Sequence, residues 1–335
     1  MSQLLARIQA GAGGESPDFV IMSPPNWTQL MSDFMSLEMF TTRPRSIYEK
    51  DDVVNAGFRA IRVLDTPISE SGFVGAAVGA AASGLRPVCE LMFIDFMGVC
   101  FDQIFNQAAK FRYMFGGKAE TPVVIRAMVG AGFRAAAQHS QMLTPLFTHI
   151  PGLKVVCPSN AYDAKGLLIQ SIRDNDPVIF CEHKNLYGVE ADVPAESYAI
   201  PFGEANIVRD GKHATIITYG MMVQRALDAA AALAKQGIEC EVVDLRTLSP
   251  IDWDTIIDSA ERTGHVVCVD EANPRCSIAA DVSAMITQEC FKALKGPIQM
   301  VTAPHTPVPF SPTLEDLYIP SADAIAKAVK KSMGK

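Results

Sequence analysis

The sequence predicts an α/β protein made of two doubly wound domains. Between residues 63 and 335, short apolar runs typical of buried strands alternate with segments whose apolar residues recur at helical spacing. Parallel strands need long crossovers, and a parallel sheet needs helices on both faces, so this alternation favours parallel sheets covered on both sides. The length of 335 residues is enough for two domains of ordinary size.

The first domain is predicted to extend over residues 1–185. One helix should begin near Glu70 and end at Gly84, and apolar residues at helical spacing from Phe101 to Phe115 indicate a second. Ser159 is expected to act as the N-cap of a third helix. The strands expected in this domain are VCELMF, TPVVIRAMVG, LKVVCPS and PVIFCEH.

The second domain is predicted to be a smaller α/β unit over residues 205–335. Residues 186–204 contain Pro and several acids without any periodicity, which is typical of a linker. One helix of the second domain, ALDAAAALAKQG, should end at Gly237. The strands expected here are ATIITYG, CEVVDLR, HVVCVDE and IQMVTAP. Residues 1–62 diverge from this regular pattern.

Charge and composition argue against several classes of function. The net charge is -8, and no run of Lys or Arg precedes Lys330, so neither a nucleic-acid surface nor a membrane surface is expected. The weakly polar run from Gly72 to Gly84 is too short to span ~30 Å of hydrocarbon. The N-terminus lacks a sustained apolar segment, so we expect a cytoplasmic protein. Eight cysteines without a C-x-x-C pair indicate reduced thiols rather than disulfides or zinc.

Glu70 is the first candidate for a functional residue. It begins a helix made almost entirely of Gly, Ala and Val. The helix dipole favours an acid in the first turn by ~0.3–1 kcal/mol, which would account for Glu70 without any function. Glycines cost helix propensity, however, and Gly75 and Gly79, four residues apart, would let a flat ligand or a partner subunit approach closely. Both interpretations stay open.

His139 and Phe96 are the next candidates, because each follows the end of a predicted strand. Ligand chemistry in open α/β sheets is placed in the loops at such strand ends. His139 lies among small residues in AAAQHSQ, where it could transfer protons or serve only as a structural donor. Phe96 lies beyond the strand that ends near Phe93, and its ring face could stack on a heteroaromatic ligand. Core packing is the stronger interpretation of Phe93.

Several common motifs are absent from the sequence. It contains no G-x-G-x-x-G after a strand, no P-loop, no G-x-S-x-G and no H-E-x-x-H, so the corresponding nucleotide-binding, hydrolase and zinc-protease functions lack their functional parts. It also lacks a GDG motif followed by an Asn-bearing metal loop. If the chain binds a diphosphate cofactor, another chain must therefore hold the phosphates.

Six longer motifs identify a family resemblance. They are LDTPISESGFVGAAVGAA, RPVCELMFIDF, DQIFNQAAKFRYMFGG, AAAQHSQ, PGLKVVCPSNAYDAKGLL and IRDNDPVIFCEHKNLYG. Through them, over about residues 61–335, the chain resembles the β subunits of thiamine-diphosphate-dependent 2-oxo acid dehydrogenases (E1). Within this family it is most similar to acetoin dehydrogenase β subunits, through RYMFGGKAETPVVIRAMVGAGFRAAAQHSQML, VDEANPRCSIAADV and VTAPHTPVPFSPTLEDLYIP. The resemblance implies a transketolase-like pyrimidine-binding domain followed by a transketolase C-terminal-like domain.

The resemblance also implies roles for individual residues. Glu70 matches the acid that hydrogen-bonds N1′ of the aminopyrimidine of thiamine diphosphate and so favours the tautomer that deprotonates the thiazolium. Phe96 matches the aromatic residue that packs on the pyrimidine, and His139 matches a histidine that handles protons and acyl transfer. Leu64 and Ile68, from the same motif as Glu70, are assigned to the cofactor-binding set.

Metals and partners follow from the same resemblance. An E1 α subunit should complete an α2β2 assembly and supply the diphosphate and Mg²⁺ contacts, and a lipoyl-bearing acyltransferase (E2) should accept the acyl group. A contact between two β subunits is also expected. Some relatives hold a structural K⁺ near the IRDNDPV loop, which makes Asp174 and Asp176 candidate ligands, although a helix end followed by a turn explains them equally well.

One segment departs from the family pattern. Ser23–Asn26, SPPN, replaces the acidic turn that helps to line the cofactor site in relatives.

From the resemblance as a whole we expect a β subunit that cleaves acetoin and passes the acetyl unit to lipoamide, with two alternatives. The substrate could be pyruvate or a branched-chain 2-oxo acid, or the chain could be a non-catalytic interaction subunit of the same fold.

Overall fold

The computed structural model describes residues 19–23 and 62–335. Its strands, numbered along the chain, are β1 (Phe19–Ser23), β2 (Arg62–Asp65), β3 (Arg86–Phe93), β4 (Val124–Val129), β5 (Lys154–Val156), β6 (Val178–His183), β7 (Asn206–Arg209), β8 (Ala214–Thr218), β9 (Cys240–Asp244), β10 (Thr247–Ser249), β11 (Val266–Asp270) and β12 (Gln299–Thr302). The α-helices in the same ranges are α1 (Glu70–Ala82), α2 (Phe111–Met114), α3 (Thr144–Thr148), α4 (Ala161–Arg173), α5 (Met222–Ala234), α6 (Trp253–Thr263), α7 (Ile278–Cys290), α8 (Pro312–Tyr318) and α9 (Ala322–Ser332).

These strands form two sheets. The first has the order β10-β5-β6-β4-β3-β1-β2 and is parallel except for β10, which pairs antiparallel with β5. The second has the order β12-β11-β8-β9-β7 and is parallel except for the β7–β9 pair. Every residue of β4, β8, β9 and β11 is buried, which is why these strands are rich in Val and Ile and show little alternation. The predicted α/β fold class is confirmed.

The largest group of buried apolar side chains is continuous through both sheets. It includes Phe73 of α1 and Ile125 of β4 on one side, and Val243 of β9 and Ile278 of α7 on the other. All eight cysteines are free, and Cys276 is the exposed one among them. No helix among residues 62–335 is both long enough and apolar enough to cross a membrane.

Two local predictions are corrected by the structure. The helix expected from Phe101 to Phe115 is not uniform: after a 3₁₀ segment at Ile94–Cys100, residues 103–108 form a wider turn in which the Ala109 amide donates to Ile104 O at 3.0 Å, and α2 follows. Apolar spacing over so short a stretch does not separate these helical types. Asn160, not Ser159, is the N-cap of α4, since its side chain accepts from the Asp163 amide at 2.9 Å.

Buried polar contacts join the two sheets. The Tyr219 hydroxyl, after β8, donates to Asp270 Oδ1 at 2.7 Å and shares a hydrogen bond of 2.9 Å with Thr144 Oγ1 of α3. Arg246, after β9, forms a 2.8 Å ion pair with Asp163 of α4. The boundaries proposed from the sequence, 1–185, 186–204 and 205–335, stay a prediction. The SPPN turn lies outside the described residues beyond Ser23.

Candidate active site

Glu70 begins helix α1 at the carboxyl end of strand β2. The first turn of the helix is fastened to the 3₁₀ segment, because Ser71 Oγ donates to Val99 O at 2.6 Å. Among residues 64–335, no side-chain hydrogen bond or ion pair is found for the half-buried Glu70 carboxylate. Burial, with a smaller contribution from the charge of Glu70, raises the pKa of the neighbouring Cys100 to about 12, so that thiol stays protonated. As far as the described residues go, the Glu70 carboxylate has no side-chain partner that would compete with a ligand.

Three rings meet where strand β3 ends. The His139 ring lies 5.0 Å from the Phe93 ring and 5.2 Å from the Phe96 ring, edge-on in both cases, and the two Phe rings are 6.1 Å apart. Phe93 is buried, as core packing predicts, whereas Phe96 is only partly buried. The structure thus brings Phe96 and His139 together, and an aromatic wall holds the imidazole on two sides.

The loop that carries His139, residues 130–143 between β4 and α3, has an unusual backbone. After β4, Gly130 and Gly132 adopt φ values of 87° and 95°, and Arg134 and Ala136 follow with 58° and 61°. The left-handed region is sparsely populated by residues with a side chain, at a cost of about 1–3 kcal/mol each. The surrounding structure must therefore hold the loop in this shape.

Two buried carboxylates from the second sheet hold this loop. Glu271 Oε1, just after β11, accepts from the Ala131 amide at 2.6 Å, and its Oε2 contacts His183 Nε2 at 2.8 Å. Glu315 of α8 accepts from the Gly132 amide at 2.7 Å. Burial opposes ionisation of Glu271, but the charge and hydrogen bond of His183 and the Ala131 amide outweigh it and lower the pKa of this carboxyl, so it is anionic in the folded protein.

Lys184, just after β6, also contacts the loop that carries His139. Its Nζ donates to His139 O and lies 5.2 Å from the centre of the Phe93 ring. Burial lowers the pKa of Lys184 to about 8, although Asp95, Glu271 and other acids nearby oppose the shift. Lys184 therefore tethers the backbone of His139, whose ring is one of the three.

Asp95 fixes the far end of the same loop. Its Oδ1 accepts from the Gln141 amide at 3.2 Å and from Gln141 Nε2 at 2.7 Å. Burial raises the pKa of Asp95, while these hydrogen bonds partly oppose that shift. Ser140, between Gln141 and His139, keeps a buried hydroxyl that has no hydrogen-bond partner in the described structure.

The segment between β2 and α1 contains the other predicted cofactor-binding residues. Leu64 is partly buried and packs against the main core, whereas the Ile68 side chain is 70% exposed. Thr66 Oγ1, between them, is buried without a hydrogen-bond partner in the described structure. This segment thus combines an exposed apolar side chain, an unsatisfied hydroxyl and, at its end, Glu70.

Asp174 and Asp176 are engaged in ion pairs. Lys154 Nζ lies 2.6 Å from Asp174 Oδ1 and 3.4 Å from Asp176 Oδ2, and Arg112 pairs with Asp176. The Arg86 guanidinium donates to Asp174 O at 2.8 Å. Within residues 64–335, no group of three or more His, Cys, Asp or Glu side chains could hold a metal ion. Potassium ligation by these two aspartates stays a prediction.

Sequence reasoning missed the residues that shape the histidine loop. Glu271, Glu315 and Lys184 belong to the quoted motifs VDEANPRC, SPTLEDLY and CEHKNLYG, but nothing in their local spacing indicates that they converge on one loop. A pair of acids at the end of an apolar strand, as Asp270 and Glu271 follow VVCV, is the signal that could have indicated a buried partner.

Comparisons with known proteins agree with this architecture. A family model described as the transketolase pyrimidine-binding domain matches residues 34–190, and one described as the transketolase C-terminal domain matches residues 203–325. The β subunit of acetoin:2,6-dichlorophenolindophenol oxidoreductase from Cupriavidus necator is 78% identical over 272 residues, covering 81% of this chain and 80% of that protein. The β subunit of the pyruvate dehydrogenase E1 component from Rickettsia felis is 48% identical over 270 residues, covering 81% and 83%.

A solved structure shares the fold. A split-gene transketolase, described as an inactive β4 tetramer, superposes with a TM-score of 0.73 at 22% identity, covering 99% of this chain and 97% of that one. The family and the two domain types predicted from the sequence are confirmed. The chain belongs to the β-subunit family of the thiamine-diphosphate-dependent 2-oxo acid dehydrogenases.

Proposed function

We propose that this chain is the β subunit of a thiamine-diphosphate-dependent acetoin dehydrogenase E1. The 78% identity to an acetoin-oxidising relative is the single observation that carries the choice of acetoin. In this proposal acetoin is cleaved and its acetyl unit passes to lipoamide. The site geometry supports the catalytic part of the proposal, because three side chains follow the carboxyl ends of parallel strands in one sheet. They are the Glu70 carboxylate after β2, which has no side-chain partner among the described residues, the partly exposed Phe96 ring after β3 and the His139 imidazole after β4.

The residues present fit the pyrimidine half of thiamine diphosphate. Such a ring needs one acid for a ring nitrogen, an apolar or aromatic surface for its faces, and hydrogen-bond partners at its edge. Glu70 has no side-chain partner among the described residues, Ile68 is exposed, and the buried hydroxyl of Thr66 is unsatisfied. A buried hydroxyl without a partner is costly, so a ligand that pairs with it would be stabilised.

Each candidate residue then has a defined task. Glu70 holds a proton in a hydrogen bond to N1′ of the pyrimidine, Phe96 supports a ring face, and Leu64 and Ile68 line the apolar side. His139, supported by two aromatic rings and by Lys184, donates or accepts a proton at the oxygen of the acyl group. Bound thiamine diphosphate supplies the thiazolium carbon nucleophile that protein side chains lack.

The remaining part of the site is assigned to partners. The chain has no GDG motif, so we propose that an α subunit holds the diphosphate and Mg²⁺ in an α2β2 assembly. Helix α1 supports a close β–β or α–β contact, because a Cβ at Gly79 would meet no atom within 4 Å. A lipoyl-bearing E2 would receive the acetyl unit. Structural K⁺ near Asp174 and Asp176 remains the least supported part of the proposal, since both carboxylates already pair with cations.

The test is reconstitution of the chain with the α subunit that co-purifies with it. Acetoin-dependent reduction of 2,6-dichlorophenolindophenol should exceed the rate with pyruvate or a branched-chain 2-oxo acid. Glu70→Gln should lower kcat by roughly 10²–10⁴-fold, the usual contribution of acid–base catalysis. The same variant should melt at the wild-type temperature, because its carboxylate has no side-chain partner to lose among the described residues.

The outcomes separate the alternatives. A preference for pyruvate would favour the second substrate, for which the 48% identity to a pyruvate dehydrogenase β subunit is the supporting observation. A complex that binds no thiamine diphosphate would favour a non-catalytic interaction subunit. Equal activity of wild type and Glu70→Gln would contradict the role of Glu70.

A further inference from the structure

We propose that Glu315, on helix α8 of the second domain, is a positioning residue for His139. In this inference the carboxylate of Glu315 fixes the backbone of the loop that presents the imidazole. The inference rests on the proposed function, because it assumes that His139 exchanges protons with the substrate. Among the described residues, the hydrogen bonds of Glu315 involve neither the ring of His139 nor any of the candidate cofactor-binding residues.

Within the part of the chain that the structure describes, the hydrogen bonds of the Glu315 carboxylate all go to this loop. Oε1 accepts from the Gly132 amide at 2.7 Å, and Oε2 accepts from the Arg134 amide at 3.1 Å and from Arg134 Nη1 at 2.7 Å. The Glu315 side chain has no exposed surface. A buried carboxylate that captures two backbone amides and a guanidinium is a strong, geometrically specific contact.

The captured residues are those with unusual backbone angles. Gly132 has φ +95°, and a Cβ at this position would lie 2.2 Å from Asn185 Nδ2, so the backbone runs very close to the Asn185 side chain, which follows β6. Arg134 follows in the left-handed region with φ 58°. Between Arg134 and His139, the His139 amide contacts Ala136 O at a long 3.5 Å. Local hydrogen bonds are therefore weak there. The Glu315 contacts hold the start of the path that leads to His139, while Lys184 and Asp95 hold the backbone at His139 and Gln141.

A merely structural tie between the domains is the competing explanation. Other buried polar contacts already join the two sheets, namely the hydrogen bonds of the Tyr219 hydroxyl to Asp270 and Thr144 and the Arg246–Asp163 ion pair. Glu315 is unlike these contacts, because it binds backbone amides of the His139 loop instead of side chains on distant helices. A positioning role predicts a fall in kcat with KM nearly unchanged, which a structural tie does not.

Asp316 provides a matched control. It is the next residue of α8 and pairs with the same arginine, with Arg134 Nη2 2.7 Å from Asp316 Oδ1. Its side chain is 64% exposed, and no hydrogen bond to the loop backbone is recorded for it in the described structure. Asp316→Asn therefore removes one negative charge beside Arg134 without disturbing the two captured amides.

The experiment compares Glu315→Gln, Asp316→Asn and wild type in the full chain. Hydrogen exchange is followed in peptides covering residues 131–141, and kcat and KM are measured in the complex with the co-purifying α subunit. In Glu315→Gln an amide NH₂ replaces one acceptor oxygen and faces a backbone donor, so we expect exchange in this loop to accelerate about tenfold. We also expect kcat to fall about tenfold or more with KM within about twofold, because a small displacement of a catalytic group affects the chemical step. Asp316→Asn should match wild type in all three quantities.

Two results would overturn the inference. One is loop exchange in Glu315→Gln that equals that of Asp316→Asn, and the other is faster exchange with an unchanged kcat. If Glu315→Gln fails to fold, Glu315→Asp replaces it, since it keeps the buried charge and shortens its reach by one methylene. A wild-type complex without turnover refutes the proposed function and this role with it, whereas an active complex with normal kcat in Glu315→Gln refutes this role alone.

Discussion

Tyr219→Phe tests whether the buried contacts between the two sheets stabilise the chain. The substitution keeps the ring and removes one hydroxyl, which donates to Asp270 Oδ1 at 2.7 Å and shares a 2.9 Å hydrogen bond with Thr144 Oγ1. A hydrogen bond to a charged group contributes about 1.5–3 kcal/mol and a neutral one about 1 kcal/mol. We therefore expect the free energy of unfolding to fall by about 3 kcal/mol.

The loss should depend on pH. Burial raises the pKa of Asp270, and the hydrogen bond from Tyr219 partly opposes that shift. Because its folded-state pKa lies above the ordinary value near 4, the charge of Asp270 costs stability at neutral pH, and this cost disappears as pH falls through the folded-state pKa. Removing the donor raises that pKa further, so the destabilisation by Tyr219→Phe should be smaller at pH 5 than at pH 8.

Urea unfolding of the full chain provides the assay. Tryptophan fluorescence comes from Trp27 and Trp253, of which Trp253, at the start of α6, lies beside the second sheet. The shift of the transition midpoint gives the change in free energy. Tyr318→Phe is the control, because the recorded contact of its hydroxyl is a single 3.3 Å bond from Asn273, and we expect it to cost less than about 1 kcal/mol. Equal destabilisation by the two variants, or a loss in Tyr219→Phe that grows at low pH, would refute the reasoning.

Two further substitutions address buried charges. Burial lowers the pKa of Lys184 to about 8, below its ordinary value near 10.4, so the unfolded chain binds more protons between these values and stability should rise with pH there. Lys184→Met removes this rise, and a wild-type advantage over the variant that does not increase between pH 8 and pH 10 in urea unfolding would contradict the assignment. Arg126 binds Glu182 through two hydrogen bonds of 2.7 and 2.9 Å beside the half-buried Glu90. Arg126→Met leaves these carboxylates without their cation and should cost about 3–5 kcal/mol in thermal unfolding, against less than about 1 kcal/mol if the pair is unimportant.

The periodic parts of the fold could be predicted from the sequence. The expected strand VCELMF lies within β3, and HVVCVDE contains β11, because fully buried parallel strands leave a continuous apolar run. The start of α1 at Glu70 was predictable from the acid and the following small residues. The placement of Phe96 just beyond β3 also agrees with the sequence, since the apolar strand ends at Phe93.

The roles of Ser159 and Glu315 could not be predicted from the sequence, because contacts with distant parts of the chain determine them. Ser159 has the chemistry of an N-cap, but Asp244 from the second sheet accepts its hydroxyl hydrogen at 2.5 Å, and Asn160 takes the capping position instead. In the same way, Glu315 is an ordinary surface residue by its local pattern and becomes fully buried only when α8 packs against the loop after β4. Such roles depend on residues far away in the sequence. The local pattern of a single sequence does not show which distant residues meet.

Strand β10 has a consequence for how the protein can be made or divided. Three residues that follow β9 pair with β5 and so cover the edge of the first sheet. During synthesis that edge stays open until residue 249 has left the ribosome, and a fragment cut within residues 186–204 would expose it permanently. Open strand edges recruit other chains, so the first domain expressed alone should self-associate, while co-expression with the second fragment should restore a dispersed protein.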